Sequence, residues 1–155
     1  MSSGLTTVRT VVYPWDCDHM GHANVAWYVR KFDEGTWALL TEAGLTPEYL
    51  RSARRGAVAV DQRLAYRREL FAGDVVVVRS AVIRTGRTSL QFVHEMTPAG
   101  STELAATTVL TGVHIDSDSR TSCPWPETVR GAFEALRAPD PNAWAAWPPS
   151  VAFLR

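Results

Sequence analysis

Residues 16–28 read D-C-D-H-M-G-H-A-N-V-A-W-Y, and they hold the side chains best suited to chemistry. Asp16, Asp18, His19, Gly21, His22 and Asn24 fall within nine positions, and an amphipathic helical pattern follows at once. Such a loop delivers carboxylates and imidazoles to a helix N-terminus, where unpaired N–H groups and the helix dipole favour developing negative charge. Acyl transfer needs this arrangement, because its transition state places an oxyanion where a carbonyl oxygen stood. One carboxylate can serve as nucleophile or as the base for an attacking water.

Each residue also has a plainer reading. Asp18 fits a turn aspartate bonded to its own backbone as well as a catalytic acid. Asp16 could share a proton balance with Asp18, or hold the loop and pair with an arginine. His22 could face a substrate carbonyl or bond to backbone. Asn24 is placed to cap the helix, and a role in orienting substrate or water is compatible with capping. The N–H groups of about Asn24 and Val25 are the expected oxyanion donors. Gly21 permits a sharp turn or a close approach of backbone to ligand. His19 is expected at the surface. Cys17, flanked by two acids, is a poor nucleophile. The His and Asp spacing matches no zinc pattern, so no metal is expected. Trp15, Trp27 and Tyr28 flank the loop as core or pocket-wall residues. Trp27 falls on the polar side of the helix, where another subunit could meet it.

The elements that must position this loop follow from periodicity. Residues 5–14 are rich in β-branched side chains and read as a strand ended by Pro14. A helix is predicted over residues 24–43, stopped by Gly44, with Tyr28, Val29, Phe32, Thr36, Leu39, Leu40 and Ala43 as its apolar stripe. The small Gly35-Thr36 pair allows a close approach to that helix. Pro47 suggests a short helix over 47–54. Four strands are predicted at 57–68, 74–84, 89–97 and 102–115, divided by glycine-bearing turns. Alternation places Val58, Val60, Gln62, Leu64 and Tyr66 on one face, and Leu90, Phe92, His94 and Met96 on another. Short connections predict antiparallel neighbours in chain order. A last helix is predicted at 127–137, before a proline- and tryptophan-rich tail. The fold class is α+β, with one long helix covering one face of an antiparallel sheet of about five strands.

Composition narrows the function. Hydrophobic residues make up 46% of the chain, enough for a full core, and 16 basic residues balance 16 acidic ones. That balance argues against nucleic acid as the main partner. No 18-residue apolar run suggests a membrane span. The two cysteines, Cys17 and Cys123, lie far apart, and a reduced cytoplasmic setting is the expected one.

The chain resembles hotdog-fold acyl-CoA thioesterases of the 4-hydroxybenzoyl-CoA thioesterase type over residues 8–137. The resemblance rests on D-x-D-x-x-G-H-x-N-x-x-x-Y, met here by Asp16, Asp18, Gly21, His22, Asn24 and Tyr28, and on the following Phe32, Asp33 and Glu34. Leu64-Ala65-Tyr66, Gly73-Asp74, Gly86-Arg87-Thr88-Ser89 and Val113-His114-Ile115-Asp116 continue it. It implies a sheet wrapped around the central helix, dimers joined sheet to sheet, and active sites at the subunit interface. Within the family, the subgroup with its acid just before the glycine is the one matched here, through Asp18. His22 and Asn24 are the further catalytic candidates beside it, and Gly21, Val25 and Tyr28 are the candidates to lie near the acyl group. The turn Arg87, Thr88 and Ser89 is implied to bind the coenzyme A phosphates. Arg51, Arg54, Arg55, Arg67 and Arg68 could add positive charge for the nucleotide.

The resulting expectation is a hotdog domain over residues 1–137, with residues 138–155 as an extension packed on it or on an interface. The expected reaction is hydrolysis of an acyl-CoA, or another acyl thioester such as one on a carrier protein, to a free acid and a thiol. Coenzyme A enters only as part of the substrate, and no separate cofactor is expected. The expected assembly is a homodimer, or a dimer of dimers. A hydratase or dehydratase acting on an acyl thioester and a non-catalytic acyl-CoA-binding protein are the alternatives. Product analysis separates them.

Overall fold

The structure, a computed structural model, describes residues 4–144 of the 155-residue chain. Strand β1 (Leu5–Val11) leads through a 3-10 turn (Pro14–Asp16) and the polar loop into helix α1 (Val25–Glu42). A short helix α2 (Pro47–Ser52) precedes β2 (Arg55–Tyr66), β3 (Val75–Thr85), β4 (Ser89–Pro98) and β5 (Ala106–Asp116). Helix α3 (Glu127–Ala135) and a second 3-10 turn (Pro141–Trp144) follow. Residues 145–155 of the predicted tail extension, Trp147 among them, lie outside the described residues.

The five strands form one antiparallel sheet in the order β1-β3-β4-β5-β2. Chain order therefore misplaces β2. It does not pair with β3, its successor, but lies along β5 at the far edge of the sheet, from Arg55↔Asp116 to Tyr66↔Ala106. The connecting segment, residues 67–74, must cross three strand spacings, roughly 14 Å. It does so beneath the start of α1, where Ala23 N–H donates to the Leu70 carbonyl at 2.8 Å and Leu70 is fully buried.

Helix α1 forms where the apolar spacing predicts it, and Asn24 caps it. The buried set is Trp27, Tyr28, Phe32, Gly35, Thr36, Leu39 and Leu40. Trp27 is thus a core residue, only 1% exposed, whereas Val29 of the expected stripe is 37% exposed. Gly35 explains the rotation of the buried sector. A Cβ there would stand 3.1 Å from Thr7 Oγ1 and 3.5 Å from the His94 ring, so the bare glycine lets the sheet come in on that side. The N-terminal half of α1 packs with Val12, Leu70, Val76, Val78 and Met96, and its C-terminal half with Val82, Leu90, Phe92, Leu110 and Phe133. Each such large side chain stabilises the fold by about 1.5–3 kcal/mol on burial.

Leu90, Phe92, His94 and Met96 do share the helix-facing side of β4, and all are buried. The expected face of β2 is broken. A β-bulge between Ala59 and Asp61 leaves Val60 without a partner on β5 and 59% exposed. Beyond it, Ala57 and Ala59, not Val58 and Val60, share the face of Gln62 and Leu64, because one extra residue reverses the alternation.

On the opposite side of the sheet, Ala81, Ile83, Val93 and Val109 form a smaller cluster with Ala138. The chain after α3 reaches it through a bridge between Arg137 and Val82.

Candidate active site

Asp16 holds the loop together. It is 7% exposed; its Oδ2 accepts the Tyr13 N–H at 3.0 Å and its Oδ1 accepts Arg30 Nη2 at 3.0 Å. Its backbone carbonyl accepts both the N–H and the side-chain Nδ2 of Asn24, each at 3.0 Å. Both oxygens of the carboxylate are committed within the fold, which is the loop-holding, arginine-pairing arrangement.

Asp18 is half-buried and engaged on one side only. Its Oδ1 accepts the Met20 N–H at 2.9 Å, forming a turn in which Gly21 N–H also donates to the Asp18 carbonyl at 3.0 Å. Among the described residues no donor meets Oδ2. The turn reading of this aspartate is therefore correct, and it leaves one carboxylate oxygen available. Gly21 sits at φ 86°, in the left-handed region, and a Cβ there would meet nothing within 4 Å. Turn conformation, rather than close packing, accounts for this glycine.

His22 turns toward the β2–β3 connection, with Nε2 3.5 Å from Glu69 Oε1 and Nδ1 3.4 Å from the Ala23 carbonyl. His19 is exposed and Cys17 half-buried. Trp15 is 76% exposed and stacked on Tyr13 at 4.6 Å, so it belongs neither to the core nor to a pocket wall of this chain. Among the described residues no three His, Cys, Asp or Glu side chains converge as metal ligands.

Asn24 caps α1, its Oδ1 accepting the Trp27 N–H at 2.8 Å. Both ends of its side-chain amide are in use. Its own N–H is consumed by the Asp16 carbonyl, which removes it from the expected pair of oxyanion donors. A helix leaves its first N–H groups without intrahelical acceptors, and here those of Val25 and Ala26 have none among the described residues. Both residues are exposed, Val25 at 60%. The adjacent free N–H groups are therefore those of Val25 and Ala26, one position along the chain from the expected pair.

Tyr28 is core, 4% exposed, edge-on to Trp27 and Tyr66, with its hydroxyl 3.5 Å from the Arg68 carbonyl. Burial pushes its phenol up to about 12. The other predicted binding group lies far away. Arg87, Thr88 and Ser89 form the β3–β4 turn, whose carbonyls accept the Trp125 N–H, the His114 N–H and Trp125 Nε1. Strand β3 starts beside the Asp18 loop and spans 11 residues to this turn, roughly 35 Å. One chain does not bring the two groups together. Of the arginines considered for the nucleotide, Arg54 pairs with Asp118, Arg55 with Asp116 and Arg68 with Glu103.

A cavity of about 80 Å³ opens between α1, β2 and the middle of the sheet. Asp33, Trp37, Leu40, Phe92, Leu110 and Trp125 are among its lining residues, and Asp18 is not. Sequence reasoning assigned no role to Asp33, Trp37 or Trp125. The available signal was the i, i+4 spacing of Asp33 and Trp37 at the border of the apolar stripe. Thr36 also lines the cavity, and behind it His94 is fully buried. Burial lowers that imidazole to about 3, so it stays neutral.

Residues 12–133 match the model of the thioesterase-like superfamily, spanning the loop, α1 and all but the first strand of the sheet. The chain belongs to the thioesterase-like superfamily. This thioesterase is 29% identical over 136 residues to the betainyl-CoA thioesterase of Pseudomonas aeruginosa, covering 88% of this chain and 86% of that one. Its fold matches that of a Staphylococcus aureus protein solved in complex with CoA, with a TM-score of 0.83 and 18% identity over 97% of this chain and 96% of the other. It also matches a 1,4-dihydroxy-2-naphthoyl-CoA thioesterase from Synechocystis, with a TM-score of 0.75 and 20% identity over 86% and 98%. These two likenesses concern the fold. The family membership, with the curated relative, identifies the chain as a thioester hydrolase.

Proposed function

We propose that the chain hydrolyses acyl-CoA thioesters, with Asp18 as the catalytic carboxylate. The observation that carries this reading is the free Oδ2 of Asp18, on the loop that ends at the unpaired N–H groups of Val25 and Ala26. Water attacks the thioester carbonyl carbon while Asp18 takes its proton. The oxyanion of the tetrahedral intermediate accepts from the Val25 and Ala26 N–H groups. The C–S bond then breaks, and the leaving thiolate takes the proton held by Asp18. In the covalent variant, Asp18 attacks the carbonyl itself and expels the thiolate, and water then cleaves the mixed anhydride. Gly21 shapes the turn that carries Asp18, and Asn24 holds the helix end against Asp16. His22 contributes as a donor at the edge of the site. The coenzyme A assignment draws on the Pseudomonas aeruginosa relative, which is named for a CoA thioester.

The working unit is a homodimer. Strand β2 is an edge strand with Val60 and Tyr66 exposed, and an exposed edge is a template for pairing. Antiparallel pairing of two β2 strands sets the Asp18 loop of one chain toward the end of the sheet that holds the partner's Arg87–Ser89 turn. That arrangement joins the catalytic acid to the phosphate-binding groups, which one chain keeps at opposite ends of the 11-residue strand β3.

The test is thiol release from a panel of short, branched, aromatic and long acyl-CoAs. Turnover by the native chain and a drop of a hundredfold or more in Asp18→Asn supports the reading. An altered but intact thioester would instead indicate hydration, and binding without turnover would indicate a non-catalytic role.

A further inference from the structure

The face of the sheet turned away from α1 carries a second pocket, larger than the cavity beside the helix. Alternation settles which side chains reach it. Phe92 and Met96 of β4 pack on the helix side, and His94 stacks on Phe32 there, so Glu95 and Thr97 point the other way. Val76 and Val78 of β3 likewise pack under the helix, which turns Val77 and Arg79 outward. Arg9 of β1 stands opposite Val77 in the register. The segment between β4 and β5 then folds over these side chains. It is held by Ala99 N–H donating to the Val75 carbonyl at 2.7 Å and by Ala105 N–H donating to the Met96 carbonyl at 2.8 Å. The enclosed space is about 430 Å³, within the roughly 300–1,000 Å³ of small-molecule sites. Asp18 takes no part in its walls.

The lining is rich in donors. Arg9 and Arg79 bring guanidinium groups, and Thr97, Ser101 and Thr102 bring hydroxyls. Ser101 Oγ already accepts the Glu103 N–H at 3.0 Å, so its own proton remains to donate. Arg9 is exposed and has no hydrogen-bond or ion-pair partner among the described residues. The one carboxylate in the walls is that of Glu95, 5% exposed and directly across the ladder from Arg79. Val77 and Leu104 supply apolar wall.

We propose that this pocket binds a small organic monoanion, a carboxylate carried on an apolar body. The site is separate from the thioester site, and the proposal stands whether or not the chain hydrolyses thioesters.

Three physical arguments lead to it. Donors come first. Five side chains able to donate line the pocket beside a single carboxylate, so the occupant must bring acceptor oxygens. The guanidinium fork matches a carboxylate in shape as well as in charge. Net charge comes second. Two guanidinium groups against one carboxylate leave a single positive charge, which a monoanion cancels. A phosphate monoester, with a charge of about −1.5 to −2, overshoots that balance and meets Glu95 with the excess. A cation is repelled, and a neutral molecule strips water from the arginines without replacing its hydrogen bonds. Surface type comes third. Val77 and Leu104 gain from being covered by hydrocarbon, which acetate lacks and a short alkyl or aryl acid has. Hydrolysis of a thioester releases an acid of this same class.

The experiment is isothermal titration of the full chain at pH 7 with hexanoate, hexanol, acetate and hexyl phosphate. Hexanoate should bind with a Kd of about 1 mM or tighter. It should bind at least tenfold more tightly than hexanol, which lacks the charge, and than acetate, which lacks the body. Hexyl phosphate should bind no more tightly than hexanoate. Arg9→Gln should weaken hexanoate tenfold or more with the melting temperature unchanged, because Arg9 is exposed on its strand. Asp18→Asn should leave hexanoate affinity unchanged. Absence of hexanoate binding at about 10 mM overturns the proposal. Equal affinity for hexanol overturns it too, since the arginines would then do no work. Tenfold tighter binding of hexyl phosphate overturns the carboxylate assignment. Native affinity in Arg9→Gln, or lost affinity in Asp18→Asn, places the acid elsewhere and overturns the site. None of these results bears on the hydrolase reading, which is decided by thiol release.

Discussion

Oγ1 of Thr36, on the central helix, lies 2.9 Å from Nε2 of His94, on the central strand β4. Thr36 Oγ1 also lies 3.0 Å from the Phe32 carbonyl. His94 Nδ1 lies 2.5 Å from Ser80 Oγ, which lies 2.6 Å from Thr7 Oγ1. A chain of hydrogen bonds thus links β1, β3, β4 and α1. It satisfies both nitrogens of a fully buried imidazole, and burial keeps that imidazole neutral.

That arrangement has a pH signature. His94 has an ordinary value of 6.5 when unfolded, and burial lowers it to about 3 in the fold. A depressed folded value means the unfolded chain takes up the proton first. The stability contributed by neutral His94 is complete above about pH 6.5 and is lost as pH falls toward about 3. The slope is at most about 1.4 kcal/mol per pH unit. His114, lowered chiefly by burial, acts in the same direction. Urea unfolding of the native chain and of His94→Gln between pH 7 and pH 4 should show a shallower acid loss in the variant. Parallel slopes would contradict the account.

Asp16 and Asp18 should separate by what they damage. Asp16→Ala leaves the Tyr13 N–H without its acceptor and should cost about 1–3 kcal/mol of stability. Its pairing with Arg30 adds little, because Arg30 is 60% exposed. Asp18→Asn keeps an oxygen for the Met20 N–H and should leave the melting temperature within about 2 °C, a shift of a few tenths of a kcal/mol. Differential scanning of the two variants checks the contrast.

Asn24→Ala should destabilise the chain by about 1 kcal/mol through loss of the cap, and Asn24→Ser should restore most of it. Full recovery of turnover in the serine variant, measured with any accepted acyl-CoA, marks the side chain as structural. Persistent loss at recovered stability would assign it a contact with substrate.

Val60 reports on assembly. The native chain should sediment as a dimer or a multiple of it. Val60→Lys, which charges the exposed bulge of the edge strand, should shift it toward monomer and lower turnover together. A fully active monomer would contradict a shared active site.

Much of the fold was readable because its signals are local. Asn24 before an apolar 3.6-residue pattern announced α1, and the alternation of Leu90, Phe92, His94 and Met96 announced β4 with its correct inner face. Non-local facts were not readable. Nothing in residues 67–74 announces that they carry the chain across the sheet, placing β2 against β5 and not β3. One extra residue at Val60 reversed the face of half a strand. The burial of Trp27 depends on what Gly35 admits from β1 and β4, a contact between segments far apart in sequence. In the candidate site, the residue types of the loop were legible from spacing. The allocation of its hydrogen bonds was not, because the Asn24 N–H is taken by a carbonyl eight residues earlier. The cavity formed by Asp33, Trp37 and Trp125 likewise exists only once three elements have met.

The most direct measurement is kcat for coenzyme A release by Asp18→Asn beside the native chain, on the best substrate of the panel, with fold and dimer verified in both. The account predicts that turnover falls a hundredfold or more while the variant stays folded and dimeric. Turnover within a few-fold of the native chain would show that the acyl carbon is attacked without Asp18.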